Sequence, residues 1–415
     1  MRSATTSGEL RAHNRVRLLR AVHDCGATRT RSQLTRDLNL ARGTASVLVA
    51  GLAEDALLHE EPATGHTAGH TRGRPTQVPG PHPLGPLALA ADVREDAWEL
   101  AACELGGRVS VLEVQPHDGT PEGALASLGQ AVADHLSRRV VGLGVALAGP
   151  VRHDGLVDIA HLGWRSVDVP RLLALGWPAP GPDPVVVGND AGLAALAEAR
   201  RGRLRGVRLG LHLHVDFDLG GVLVVGGRPL DGASGPGAEF GHMPLGGGDR
   251  PCACGATGCW GQDVGANALL RHVGLAYGGG RGRAQAEEVL AGSREAVEAG
   301  SRALGLGIAA LVNAHDPEVV TLSGHGVALL ERAGQALADS CGPALMTIRR
   351  ERPPRIEAAA LGWRGALLGA MESVFDAFLT PEGLERWRET GPDQGSDTPG
   401  SRNVTHSTLK RKIMQ

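Results

Sequence analysis

The sequence predicts an α/β chain in two parts: a small N-terminal winged helix-turn-helix, and a larger body of mixed sheets in two lobes. Three observations lead there. Two short helical segments joined by a tight turn lie within residues 31–58. A Pro/Gly-rich stretch, PGPHPLGP at 79–86, interrupts the chain. Beyond it, strand-like and helix-like segments alternate. The expected divisions are a head over 1–78, a linker over 79–86, a body over 87–390 and a polar tail over 391–415.

In the head, Asn14 to His23 reads as a helix with Val16, Leu18, Leu19 and Val22 as its apolar stripe. The loop CGATRT follows, and Thr30 suits the N-cap of the next segment. Leu34, Leu38 and Leu40 flank a turn around Asn39. A second helix then directs Val47, Leu48 and Leu52 inward and leaves Arg42, Thr44, Ala45 and Ser46 outward at its N-terminal end. Such a pair meets the demands of a DNA major groove: small side chains let the helix approach, while Arg, Thr and Ser bond bases or phosphates. AEDALLHEE (53–61) should begin a β-wing with TGHTAGHTRGRP (64–75) as its tip. There Arg72 and Arg74, beside Gly73 and Pro75, suit a minor groove. His66 and His70, in the same Gly/Thr-rich tip, read as wing surface.

In the body, LALAADV (87–93), AWELAACEL (97–105) and RVSVLEV (108–114) read as consecutive strands. Residues 120–136 form a helix opened by Thr120, with Glu122 in its first turn. VVGLGVALAGPV (140–151) and PVVVGND (184–190) are buried strands, and DAGLAALAEARRG (190–202) is a helix. LGLHLHVDF (209–217) and GGVLVVGGRPL (220–230) are further strands. A long helix (293–316), the strand PEVVTLSG (317–324) and a helix (328–341) complete the pattern. The end of the chain is polar and rich in breakers, as in a disordered tail.

Charge is divided unevenly. Residues 1–80 carry 11 Arg against 7 Asp and Glu, so the head is +4, while the whole chain is −3. A basic head on an acidic body points to a polyanion-binding module. The only lysines are Lys410 and Lys412, which excludes an internal catalytic lysine. The N-terminus lacks the apolar core of a signal peptide, and no run approaches the ~18 apolar residues of a membrane helix. The expectation is a cytoplasmic, nucleoid-associated protein without a membrane partner.

The sharpest motif is GAEFGHMPLGGGDRPCACGATGCWG at 237–261. It sets His242 ten residues before Cys252, followed by Cys254 and Cys259, with Gly255 and Gly258 for tight turns. One imidazole and three thiolates complete a tetrahedral zinc shell, which makes such a zinc structural rather than hydrolytic.

These residues carry a resemblance to the ROK family of repressors, open reading frames and sugar kinases. Glu239-Phe-Gly-His242 followed by Cys252-Ala-Cys-Gly-Ala-Thr-Gly-Cys259 resembles its signature, and HLGW (161–164), the run at 189–198 and LVNAHDPEVVTLSG (311–324) resemble its regulator branch. The resemblance implies a two-lobed sugar-kinase body of the actin-like, ribonuclease H-like kind, with a hexose-like ligand between the lobes. It implies that Asn189 and Asp190 correspond to the Asn-Asp pair whose Asp is the general base in the kinases, and that Glu239 and His242 contact sugar. It also implies a regulator of carbohydrate-utilisation genes, by default a repressor released from double-stranded operator DNA by a sugar. Reading paired half-sites requires at least a dimer, so a homodimer or homotetramer is expected.

The departures bear on activity. The kinases open this body with a D-x-G-G-T-type phosphate loop, where this chain has Asp92-Val-Arg-Glu-Asp96; their second loop, G-T-G-x-G-G, corresponds to Asp216-Phe-Asp-Leu-Gly-Gly221. Phosphate cradles need open backbone N–H groups and avoid carboxylates, so no catalytic residue is assigned. A sugar-contacting Glu of the family falls at Gly261, with Gln262 adjacent as a substitute. Two other readings compete with the regulator. The change at Gly261 favours a body that is only a dimerisation scaffold, and an active kinase would need phosphate loops the sequence lacks.

Overall fold

A computed structural model describes residues 7–62, 77–177, 184–235, 237–246 and 248–391. Arg72, Arg74, His66, His70 and the tail from 392 onward lie outside the described residues.

The head comprises α1 (Ser7–Asp24), α2 (Arg31–Asp37) and α3 (Arg42–Glu54), then an antiparallel pair, β1 (Leu58–Pro62) and β2 (Gln77–Pro81). Thr30 caps α2 through a reciprocal capping box with Gln33. Asn39 makes the turn to α3 with a positive φ of 52°, a conformation Asn tolerates well. Leu18, Leu19, Val22, Leu34, Leu48, Val49, Leu52, Leu57 and Leu58 form the core beneath.

Two sequence expectations for α3 are corrected. Ala45 is buried rather than outward, and Val47 is exposed rather than inward. The helical period puts Ala45, Leu48, Val49 and Leu52 on one face. Strand β2 also runs into the expected linker, because Pro79 and Pro81 sit in a two-stranded ribbon that does not need every amide.

The first lobe contains β3 (Leu87–Val93), β4 (Ala97–Glu104), β5 (Val109–Pro116), α4 (Pro121–His135) and β6 (Val140–Leu147). A small hairpin, β7 (Leu156–Ile159) with β8 (Trp164–Asp168), and α5 (Val169–Leu173) lead to β9 (Val185–Asn189) and α6 (Asp190–Arg201). The sheet order is β5-β4-β3-β6-β9, antiparallel through β3–β4–β5 and parallel through β3–β6–β9.

The second lobe repeats the plan. It contains β10 (Leu209–Val215), β11 (Leu219–Val225), β12 (Arg228–Pro229), α7 (Ala266–His272), α8 (Arg283–Gly292), α9 (Arg294–His315), β13 (Val319–Gly324), α10 (His325–Ala344), α11 (Thr347–Glu351) and β14 (Arg355–Ala358). Its sheet order is β12-β11-β10-β13-β14, again antiparallel on one side and parallel on the other. Each sheet is covered by helices and has its own apolar core.

The chain then returns to the first lobe. Helix α12 (Gly365–Phe378) lies along α6, and α13 (Pro381–Thr390) packs on α1. Gly369 makes the first contact close: a Cβ there would lie 1.9 Å from the carbonyl oxygen of Leu193 in α6. Trp387 of α13 donates from its indole N–H to the carbonyl of Asp55 in the head, at 2.8 Å. Among the described residues no helix is long and apolar enough to cross a membrane.

Candidate functional site

The site lies where the two lobes face each other. Strand β9 ends on Asn189, whose side chain caps α6 by accepting from Gly192 N (3.0 Å) and donates to the carbonyl of Gly149 (3.2 Å). The cap is therefore Asn189, and Asp190 is free of that duty at the first helical position, where its carboxylate accepts from Ala191 N at 2.6 Å. Burial, then the negative charge of Glu95, push the Asp190 carboxyl up to about 8. Asp92, buried at the end of β3, is likewise pushed up to about 7, chiefly by burial.

Glu239 reaches the cleft from the opposite lobe, at the entry to a 3-10 turn over Phe240–His242. Burial raises its carboxyl, which lies 4.0 Å from His242 Nε2. Asn189 and Glu239 both line one cavity of 520 Å³, which also touches Arg152, Asp231 and Pro150.

Three neighbours were not singled out as site residues by sequence. Glu95, from the β3–β4 turn, is buried and sits 3.3 Å from His161 Nε2. Burial alone would lower the His161 imidazole, but Glu95, Asp218 and Asp190 raise it. Asp218, in the β10–β11 turn, is raised by burial. The signal existed, since His161 lies in the HLGW run and Glu95 and Asp218 in the two acid-bearing loops. Their convergence depends on tertiary structure.

Arg283, at the start of α8, joins those same two loops. Its guanidinium bonds Asp96 (2.9 and 3.2 Å) and Asp216 (2.8 and 3.1 Å), and stacks 4.8 Å from the Phe217 ring centre. Asp96 belongs to the first lobe and Asp216 to the second, so one side chain ties the lobes together. Burial would raise Asp216, but the charge of Arg283 holds it below the usual carboxylate range. Arg283 in turn is raised well beyond its ordinary value.

His242, Cys252, Cys254 and Cys259 meet as expected, with their ligand atoms all within 4.8 Å of one another. Cys252 Sγ is 3.6 Å from His242 Nδ1, and Cys254 Sγ is 3.8 Å from Cys259 Sγ. Zn–S bonds of about 2.3 Å in a tetrahedron put two sulfurs roughly 3.8 Å apart. The set therefore fits zinc in both identity and spacing. It also holds the Glu239–His242 turn against the Cys loop.

In the head, Arg42, Thr44 and Ser46 are exposed on α3, and the Ser46 hydroxyl donates to the Arg42 carbonyl at 3.1 Å. No acidic residue lies in the first turn of α3, so its positive end is open to an anion. Ala45 is turned into the core and offers no contact surface.

Comparison with known proteins agrees with this architecture. The chain is 26% identical over 338 residues to a protein of Caldicellulosiruptor sp. (strain Rt8B.4) named as a xylose repressor, covering 74% of this chain and 82% of that one. It is 29% identical over 190 residues to a glucokinase of Streptomyces coelicolor, covering 45% of this chain. The match spans only 59% of that glucokinase's own length. Among solved structures, a ROK family transcriptional regulator, a homolog of the E. coli MLC protein, superposes with a TM-score of 0.68 at 20% identity, covering 91% of this chain and 99% of that one. A ROK family glucokinase from Streptomyces griseus, in complex with glucose and AMPPNP, superposes with a TM-score of 0.60 at 24% identity over 70% of this chain and 99% of that one. The family model for ROK matches residues 97–376, and with both lobes and the Cys/His cluster in place the chain belongs to the ROK family.

Proposed function

We propose that this chain is a sugar-responsive DNA-binding transcription regulator, with residues 1–78 as a winged helix-turn-helix, residues 87–390 as the sensing and oligomerisation body, and a structural zinc. Helix α6 carries the reading. Its N-cap, Asn189, lines the cleft cavity, and Asp190 follows at the first helical position. Its last residues grip the head's first helix and the helix behind it: Arg200 bonds Asp376 at 2.8 Å and lies 3.8 Å from Asp24, and Arg201 donates to the carbonyl of His23 at 3.3 Å. A rigid rod with one end at a sugar-binding carboxylate and the other on a DNA-binding head is a direct means of gating.

Arg42, Thr44 and Ser46 would contact operator DNA, and Arg72 and Arg74 would follow the minor groove. Asn189, Asp190, Glu239 and His242 would hold the sugar. The regulator and xylose-repressor relatives support this assignment. Kinase relatives support a second reading, but Arg283 and its two carboxylates occupy the loops that would receive phosphate, and carboxylates repel it. Work on paired half-sites calls for at least a dimer, in the compartment that holds the DNA.

The test is a gel shift on the DNA upstream of the protein's own gene, repeated with a panel of hexoses and pentoses. The expected result is a sequence-specific band released by one sugar class. A purified, folded protein that retards no upstream DNA, or that turns over ATP with a sugar at a rate typical of sugar kinases, refutes the reading.

A further inference from the structure

The cleft cavity runs well past its sugar-holding end. Val185, Val187 and Asn189 alternate onto one face of β9 and all three line it, so the cavity follows the strand from Asn189 back to Val185, about 13 Å. Along α6 it extends one further turn of helix beyond Gly192, to Leu196. Its volume of 520 Å³ lies in the range of roughly 300–1,000 Å³ that houses drug-sized ligands. A single pyranose held at Asn189 and Glu239 would not reach Val185.

Beyond Asn189 and Glu239 the walls are apolar on both sides. Val185, Val187 and Leu196 line the cavity from the first lobe, and Val222, Pro229 and Leu230 from the second. Leu230 is 50% exposed, and Val185, Val187 and Leu196 are only half-buried, so this trough keeps apolar surface open to solvent. Of the charged side chains on the cavity, Arg152 is balanced by Asp154 and Asp158, at 3.0 and 3.2 Å, while His153 and Asp231 are exposed. The far wall is shared: Leu196, Pro229 and Asp231 also line a second cavity, together with Arg20 and Asp24 of the head's first helix. A group lying in the trough therefore touches the wall of the head–body joint.

A second sugar ring in this trough would bury hydroxyls against Val, Leu and Pro side chains that offer them no partner, which is costly. An apolar group there removes both its own surface and theirs from water. We infer that the effector is a glycoside with an apolar, ring-sized aglycone, its sugar hydroxyls meeting Asn189 and Glu239 and its aglycone lying against Leu196 and Leu230. This inference rests on the sugar-sensing reading above and narrows its ligand class.

Calorimetric titration of the full-length protein decides it, with the methyl and phenyl glycosides of glucose, galactose and xylose, in both anomers, and cellobiose as probes. For the sugar that binds, the phenyl glycoside should bind roughly tenfold or more tightly than the methyl glycoside, since only the phenyl ring buries the trough. L196N and L230S should each reduce that ratio at least threefold and leave the methyl glycoside unchanged. Leu230 is exposed, so L230S keeps the test open should L196N fail to fold. Methyl and phenyl glycosides of equal affinity overturn the inference and leave sugar sensing intact. Cellobiose binding more tightly than phenyl glucoside puts a second sugar in the trough and overturns it as well. A phenyl preference unchanged in the folded variants overturns the placement against Leu196 and Leu230. If none of the probes binds a protein that still retards its operator, this inference and the sugar-sensing reading fall together.

Discussion

The imidazole of His23, at the end of the head's first helix, lies 3.1 Å from the carboxylate of Glu372 in α12, and both side chains are fully buried. The His23 Nδ1 accepts from Gly106 N at 3.0 Å, which leaves Nε2–H to donate to Glu372. Arg201 pairs with the other Glu372 oxygen. Three residues from three elements thus close one buried joint between head and body.

That joint predicts an acid-sensitive contribution to stability. Burial would raise Glu372, yet the hydrogen bond from His23, with the charge and hydrogen bond of Arg201, holds it down to about 2. A carboxyl lowered in the folded state contributes fully above its unfolded pKa, about 4.3, and the contribution is lost as pH falls through the folded value. Urea midpoints should therefore decline between about pH 4 and pH 2, and Glu372→Gln should flatten that decline. At neutral pH the same substitution should cost about 3 kcal/mol, because it strands Arg201. An unchanged midpoint would show that the head is not anchored here.

Arg283 makes a second prediction. Arg283→Met removes the only side chain that bonds Asp96 and Asp216 together among the described residues, leaving two carboxylates facing each other across the lobes. The loss should be about 3 kcal/mol, the low end for a buried pair, since Asp96 is 31% exposed. Small-angle scattering should record a larger radius of gyration as the lobes part. On the proposed non-kinase reading the variant should hydrolyse no ATP, because Asp96 and Asp216 remain. Wild-type compactness and stability in Arg283→Met would mean that the lobes are held elsewhere.

Metal analysis of protein purified without added zinc should find near one zinc per chain. Cys254→Ser should lose it and become prone to thiol modification at Cys252 and Cys259. Burial pushes the Cys259 thiol up to about 12, so a cation must drive its ionisation, and zinc retention should fall as pH falls. A folded, metal-free wild type would refute the zinc assignment.

Much of this was legible in the sequence because it is local. Thr30 capping α2, the turn at Asn39, the Thr120 cap and the Cys/His spacing all follow from neighbours a few residues apart. All five strands of the first sheet were legible from their patterning, as were β10, β11 and β13 of the second, whereas β14 (Arg355–Ala358) was not read as a strand. Ala45 and Val47 were misassigned because a short helix with small residues has a weak stripe, and only packing of Leu48, Val49 and Leu52 against Leu18 and Leu34 decides its phase. Helix α12 was missed as an element, although Glu372 and Asp376 on it hold the head, because its apolar residues continue almost all round. The acids at 92–96 and 216–218 were read as repelling phosphate. That Arg283, 67 residues beyond Asp216, would join them could not be read from spacing.

The last prediction concerns the path from ligand to DNA. Helix α6 spans 12 residues, about 18 Å, from Asp190 in the cleft to Arg201 at the joint. It packs tightly on α12, with Gly369 closely against the Leu193 carbonyl. On the proposed reading, a ligand bonding Asp190 should shift the ends that hold His23 and Asp24, provided it binds the two arrangements with different affinity. Asp190→Asn should bind operator like the parent, because it lies far from α3, yet it should lose about 1.5–3 kcal/mol of effector binding, since the amide leaves a buried sugar hydroxyl without its partner. In gel shifts this reads as a tenfold or greater rise in the effector concentration that releases DNA. Arg201→Met should separate the two functions in the opposite way, with effector binding retained by calorimetry and release blunted. Asp190→Asn that releases DNA at the parent's effector concentration would remove the cleft from the switch. Arg201→Met that binds effector and releases DNA normally would remove α6 from it.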